Sequence, residues 1–254
     1  MPTFTADDGV PIAYELWERD SALPLVLLHH GFAADGRVDW EAPGTVDTLT
    51  AAGRRVATID ARGHGRSGKP RDPARYGEAR MSRDVRALAD LLGEPAYDLA
   101  GYSMGAVVAL LTAAHDRRVR RLVVGGVGAA VVELGGVDTR VLGPHTLRDA
   151  LRADDPAAVT HPAAAAFRAF VDAVGGDRAA LAAQAAAVHD RPIPLDAVTA
   201  PALVLAGDRD ELAARPEVLA GAIPGARLRL VPGDHGGALR DPAFVKELVA
   251  FLNG

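Results

Sequence analysis

The chain has 254 residues, and its 28 Lys and Arg against 33 Asp and Glu give a formal charge of -5, with no basic excess to hold a nucleic-acid backbone. With 49% hydrophobic and 24% charged residues, the composition is that of a globular protein long enough to bury a sizeable core. No cysteine is present, which excludes disulfides, thiolate metal sites and a cysteine nucleophile. No apolar run approaches the ~18 residues of a spanning helix, and the N-terminus MPTFTADDG has no basic stretch followed by an apolar one, so no membrane partner and a soluble, cytoplasmic protein are expected.

Along the chain, Pro11–Trp17 (PIAYELW) alternates like a half-exposed strand, and Leu23–His29 (LPLVLLH) is a short apolar run of the buried-strand kind. Arg55–Asp60, Tyr97–Gly101, Val119–Val124, Ala202–Ala206 and Arg227–Val231 repeat the type. Helical patterns lie over Gly44–Ala52, Ala79–Leu92, Met104–His115, Arg215–Ala222 and Pro242–Leu252. Strands alternating with helices predict an α/β fold with a mostly parallel, doubly wound sheet covered on both faces. The rhythm breaks between 131 and 194, where alanine-rich stretches such as AAAAFRAFVDAV favour helix but offer little area of their own to bury. That segment reads as a small helical lid, inserted after the sixth strand into a core domain made of residues 1–130 and 195–254.

In an open α/β sheet ligands bind beyond the carboxyl ends of the strands, so the residues just after each strand matter most. There the chain carries His29-His30-Gly31-Phe32, Asp60-Ala-Arg-Gly-His-Gly-Arg-Ser67, Gly101-Tyr-Ser-Met-Gly105, Gly207-Asp-Arg-Asp210 and Pro232-Gly-Asp-His-Gly-Gly237. Glycines two places to either side of Ser103 suggest a strand-to-helix turn too tight for larger side chains, with the serine at its tip. A serine hydroxyl is a poor nucleophile until a base removes its proton, and among eight histidines only His235 follows the last strand. Asp208, Asp210 and Asp234 are the carboxylates available to orient that histidine. The backbone N–H of Met104, at the start of its helix, is placed to meet a developing negative charge. Gly63, Gly65 and Gly68 lack the lysine and following helix of a phosphate-cradling loop, and the remaining histidines have no metal-ligand spacing.

Together these motifs, in the chain order serine, acid, histidine, resemble the α/β-hydrolases, Gly-Tyr-Ser-Met-Gly matching the nucleophile elbow. The resemblance implies a triad of Ser103, Asp210 and His235, the Gly-x-x-Asp spacing from Gly207 selecting Asp210 and leaving Asp208 to order its loop. It implies an oxyanion hole from the Phe32 and Met104 amides, with Asp60 and Arg62 buttressing the Phe32 loop. His30, Trp40, Phe167 and Phe170 are the candidates for a substrate pocket, while loop hydrogen bonding is the favoured reading for His30 and ordinary packing for each aromatic. The implied function is cofactor-free and metal-free hydrolysis of a small acyl substrate, a carboxylic ester, lactone or thioester, through an acyl-serine. The same triad also serves carbon–carbon bond hydrolases and cofactor-free perhydrolases, and some relatives keep it as ligand receptors. A serine in place of aspartate argues against epoxide hydrolysis and dehalogenation. A monomer or small homo-oligomer is expected.

Overall fold

A computed structural model describes residues 2–254. Its strands are β1 (Thr3–Thr5), β2 (Pro11–Trp17), β3 (Leu25–His29), β4 (Val56–Ile59), β5 (Tyr97–Tyr102), β6 (Val119–Gly125), β7 (Ala202–Gly207) and β8 (Arg227–Val231). They form one eight-stranded sheet in the order β1-β2-β4-β3-β5-β6-β7-β8. β1–β2 and β2–β4 pair antiparallel and every later pair is parallel. Beside the five strands marked individually in the sequence, β1, three residues long and too short to show a periodicity, makes β6 the sixth strand, the one after which residues 131–194 are inserted. β3 starts at Leu25 rather than Leu23, in keeping with Pro24, which has no N–H to give a ladder.

The inner strands β3, β4, β5 and β7 are buried at every position, as strands covered on both faces must be. Helices α1 (Thr45–Ala51), α2 (Glu78–Leu91) and α3 (Met104–His115) alternate with the first parallel strands. Between β6 and β7 run α4 (Ala130–Leu134), α5 (Pro144–Arg152), α6 (Pro162–Ala173) and α7 (Arg178–Ala185). The chain ends with α8 (Pro216–Ala222), α9 (His235–Arg240) and α10 (Pro242–Asn253). On one face Met81, Val85 and Leu88 of α2 join Val107 and Leu110 of α3 and Leu219 of α8. On the other, Val46 and Leu49 of α1 join Leu239, Phe244, Leu248 and Leu252.

Arg54 and Arg62 are fully buried in this framework. Arg54 pairs with Asp98 of β5 and donates to the carbonyls of Pro24 and Leu252, tying the amino ends of the strands to the last helix. Arg62 holds Asp84 of α2 through two bonds of 2.8 Å and Asp8 at 2.7 Å. Arg62 therefore anchors α2 and the Asp8 turn, not the Phe32 loop that the sequence reading gave it. Asp60 does meet that loop, accepting the Gly36 and Arg66 amides at 3.0 and 2.9 Å.

Candidate active site

β5 turns into α3 at Ser103, whose φ of 54° and ψ of -118° lie where a side chain is strained at a cost of order 1–3 kcal/mol. The flanking glycines make this turn possible. A Cβ on Gly101 would stand 2.0 Å from the Gly105 carbonyl oxygen, and one on Gly105 would stand 2.2 Å from that of His29. The helix thus starts in backbone contact with β3 and β5, and the Ser103 N–H donates to the Gly125 carbonyl at 2.8 Å. Ser103 opens on a cavity of about 510 Å³, also lined by Phe32, Met104 and His235.

His235 is the first residue of α9 rather than part of a loop, because the Asp234 carboxylate accepts the Gly237 amide and caps the helix there. Its Nδ1 lies 3.0 and 2.9 Å from the two carboxylate oxygens of Asp210, whose side chain is fully buried. That partner assigns the ring proton to Nδ1 and leaves Nε2 as the acceptor. The Asp210 and His235 segments meet because Gly207 has no side chain: a Cβ there would stand 2.4 Å from the Gly233 oxygen. Asp208 accepts the Gly233 N–H at 2.9 Å, the loop-ordering role expected of it. Asp210 itself also accepts the Leu212 and Ala213 amides, so its carboxylate is held from three sides.

The Phe32 amide follows the Gly31 turn. Gly31 donates to the buried carboxylate of Asp39 at 2.8 Å, and burial pushes the Asp39 pKa up. Ala33 takes a positive φ of 66°, keeping the turn tight. Among the described residues, neither the Phe32 nor the Met104 N–H donates a hydrogen bond to the protein. Two free amides near a serine in a strained turn can together receive an oxygen that gains negative charge.

Of the four candidates for the pocket, two line it. Phe167 and Phe170 of α6 do, and Phe167 stacks on Phe32 with ring centroids 5.5 Å apart. His30 and Trp40 do not. The His30 ring is buried, its Nδ1 on the Gly31 carbonyl at 2.7 Å and its Nε2 accepting the Ala61 N–H at 2.9 Å, so both nitrogens are spent bracing the loops. Trp40 packs wholly into the core beneath α1 and α10. Among the cavity-wall residues that escaped the sequence reading are Asp39, Glu78 and Gln184. Asp39 lies in a single π-helical turn, Arg37–Glu41, with no periodic pattern to mark it. Glu78, first in α2, looks like an ordinary solvated acid at a helix start, yet it is 2% exposed.

A model of the alpha/beta hydrolase fold family matches residues 24–173, more than half of the chain. The chain belongs to the α/β-hydrolase family. This α/β-hydrolase is 38% identical over 105 residues to the sn-1-specific diacylglycerol lipase of Mus musculus, a match covering 41% of this chain and 32% of the lipase's length. Among solved structures it is similar to a hydrolase from Pseudomonas aeruginosa, with 28% identity and a TM-score of 0.80 over 100% of this chain and 98% of the other. It also resembles the enol-lactonase of Burkholderia xenovorans, with 27% identity and a TM-score of 0.75 over the whole of both chains. Among the described residues no helix is long and apolar enough to cross a membrane, and no three His, Asp or Glu side chains are grouped to hold a metal ion.

Proposed function

We propose that this α/β-hydrolase is a serine hydrolase of small carboxylic esters, lactones or thioesters, acting through an acyl-serine. The observation that carries the reading is that Ser103, on its strained turn, and His235, held by Asp210, border one cavity whose wall is otherwise largely apolar. In this reading Nε2 of His235 takes the Ser103 proton while Oγ attacks the carbonyl carbon. The oxygen that becomes negative is received by the Phe32 and Met104 amides, each such donor contributing ~3 to 4 kcal/mol to the transition state. Asp210 keeps the imidazole in the useful tautomer and stabilises its charged form.

When the tetrahedral adduct collapses, the alcohol, thiol or ring oxygen leaves with the proton that His235 holds. A water then loses its proton to His235 and adds to the acyl carbon, and the second collapse returns the proton to Ser103 and frees the acid. The helices of residues 131–194 act here as a lid: α6 and α7 set Phe167, Phe170 and Gln184 on the cavity wall, which excludes bulk water from the acyl group. The structural likeness to an enol-lactonase supports keeping lactones among the substrates.

The test combines turnover of short p-nitrophenyl esters with fluorophosphonate labelling. Ser103→Ala is expected to lose labelling entirely and kcat by a factor on the order of a million. Ester hydrolysis at the wild-type rate in Ser103→Ala would overturn the proposal. So would a folded wild type that binds esters tightly and turns over less than once, which would favour a receptor.

A further inference from the structure

The largely apolar cavity wall also carries polar side chains, Asp39, Asp138 and Arg240 and, beside them in the lining, Glu78 and Gln184. Glu78 and Gln184, 2% and 1% exposed, lie among walls built by Phe32, Leu147, Phe167, Phe170 and Val188. The two are joined through one backbone group: the Gly77 N–H, immediately before Glu78, donates to Gln184 Oε1 at 3.2 Å. This leaves the Gln184 Nε2 donors with a single partner, the Met104 sulfur at 3.8 Å, which is a weak acceptor. Glu78 accepts the His189 N–H on Oε2 at 2.7 Å, and among the described residues no cation pairs with it. Burial pushes its pKa up to about 7, so at lower pH the carboxyl holds a proton of its own to donate.

A buried amide NH2 with nothing better than a thioether to receive its hydrogens, beside an acid with no counter-ion, is an expensive way to line a pocket meant for hydrocarbon. The proton transfers and oxyanion contacts above use neither polar group. Gln184 has donor hydrogens that an oxygen acceptor would satisfy, Glu78 has one when it is protonated, both line the cavity, and Gln184 does so in contact with Met104 of the elbow.

We propose that Glu78 and Gln184 are specificity-determining residues that hydrogen-bond a second, uncharged oxygen of the substrate, a keto or hydroxyl group separate from the scissile carbonyl. The inference rests on the serine-hydrolase reading of the same site and narrows its substrate class: oxygenated acyl or lactone substrates are selected over plain hydrocarbon chains. A site built to bond a substrate oxygen rejects the analogue that lacks it, because its own polar groups are then left unpaired.

The experiment compares p-nitrophenyl esters of an unbranched alkanoic acid with those of the same chain carrying a keto or hydroxyl group moved along it one carbon at a time. Wild type is expected to prefer at least one oxygenated ester by about tenfold or more in kcat/KM. Glu78→Leu and Gln184→Met bring that ratio close to one, chiefly through KM, and Glu78→Gln, which keeps hydrogen-bonding groups in place, retains most of it. Should Glu78→Leu fail to fold, Gln184→Met decides alone. A second arm measures binding of the corresponding free acids to Ser103→Ala by calorimetry, where the oxygenated acid is expected to bind more tightly and to lose its advantage with Gln184→Met. A wild type with no preference for any oxygenated ester, or a preference untouched by Gln184→Met, overturns the inference. Failure of fluorophosphonate to label Ser103 in folded wild type overturns the hydrolase reading instead, and the binding arm still tests the pocket.

Discussion

Asp210 gives the sharpest test at the scale of single residues, because its carboxylate is fully buried and meets both the His235 ring and two backbone amides. Asp210→Asn preserves shape and keeps an oxygen for the amides, but it presents an N–H or a neutral oxygen to Nδ1. The ring can then flip its tautomer and turn a protonated Nε2 toward Ser103. The expected result is a loss of kcat on the order of 10⁴ with native-like thermal stability, read from ester hydrolysis and melting curves on the same sample. A variant that kept its rate would show that Asp210 serves only to cap its turn. The placing of Ser103 and His235 on one cavity, with Asp210 against the His235 ring, was legible in the sequence because short glycine-marked motifs sit directly after strands, where local spacing already implies position. His30 and Trp40, candidates by residue type, are absent from the pocket: the adjacent Gly31 carbonyl and the Ala61 N–H, thirty-one residues away, occupy the His30 ring in the loop role favoured for it, and Trp40 packs in the core. Asp39, Glu78 and Gln184 have no local signature: they become site residues only when a π-helical turn, the start of α2 and the α7 helix are folded against one another.

At the scale of elements, the strand-to-helix turn carries the site. The boundaries of α3 and β8 matched their apolar patterns residue for residue, since both elements are bounded by turns with strong local signals. What periodicity does not reveal is how closely α3 approaches β3. Gly105 lies inside the first turn of α3, where alanine would be the better helix former by about 1 kcal/mol if propensity alone mattered. Here a Cβ would meet backbone rather than a yielding side chain: the His29 oxygen at 2.2 Å and the His30 oxygen at 2.6 Å. Gly105→Ala must therefore push α3 away from the sheet, and it is expected to destabilise the protein by about 3 kcal/mol or more despite the propensity gain. Urea denaturation measures this directly, and an unchanged or higher midpoint would show that α3 shifts freely. Because Met104 and Ser103 move with the helix, the surviving folded fraction should also label slowly with fluorophosphonate. Stability and the geometry of the free amide thus depend on the same absent side chain.

For the whole molecule, the dependence of stability on pH follows from groups that the fold buries with opposite consequences. His29 is fully buried beside His30, and its pKa falls from the usual 6.5 to about 3; burial lowers that of His64 in the same direction. In the unfolded chain these imidazoles take up protons near pH 6.5 while the folded chain refuses them, so their stabilising contribution is complete above 6.5 and is lost as pH falls below it, for His29 down to about 3. Glu78 behaves in the opposite sense, since burial raises it from 4.5 to about 7. Between those values the folded protein keeps a proton that the unfolded chain releases, so its contribution is complete below pH 4.5 and is lost as pH rises through 7. His29 and His64, with the partly buried His189 lowered in the same direction, favour a melting temperature that climbs from acid toward pH 6.5. Asp39, Glu41 and Asp84, raised by burial like Glu78, reduce that climb, and Glu78 lowers the melting temperature slightly as it gives up its proton near 7. Glu78→Gln isolates the second term, because glutamine is neutral at every pH: its melting temperature relative to wild type should rise between pH 4.5 and 7 and stay flat beyond. A relative melting temperature that did not change across that interval would mean the Glu78 carboxyl ionises as easily in the cavity as in water. The cavity lining it shares with Gln184 would then be wet, and the argument for a bound substrate oxygen would lose its physical basis.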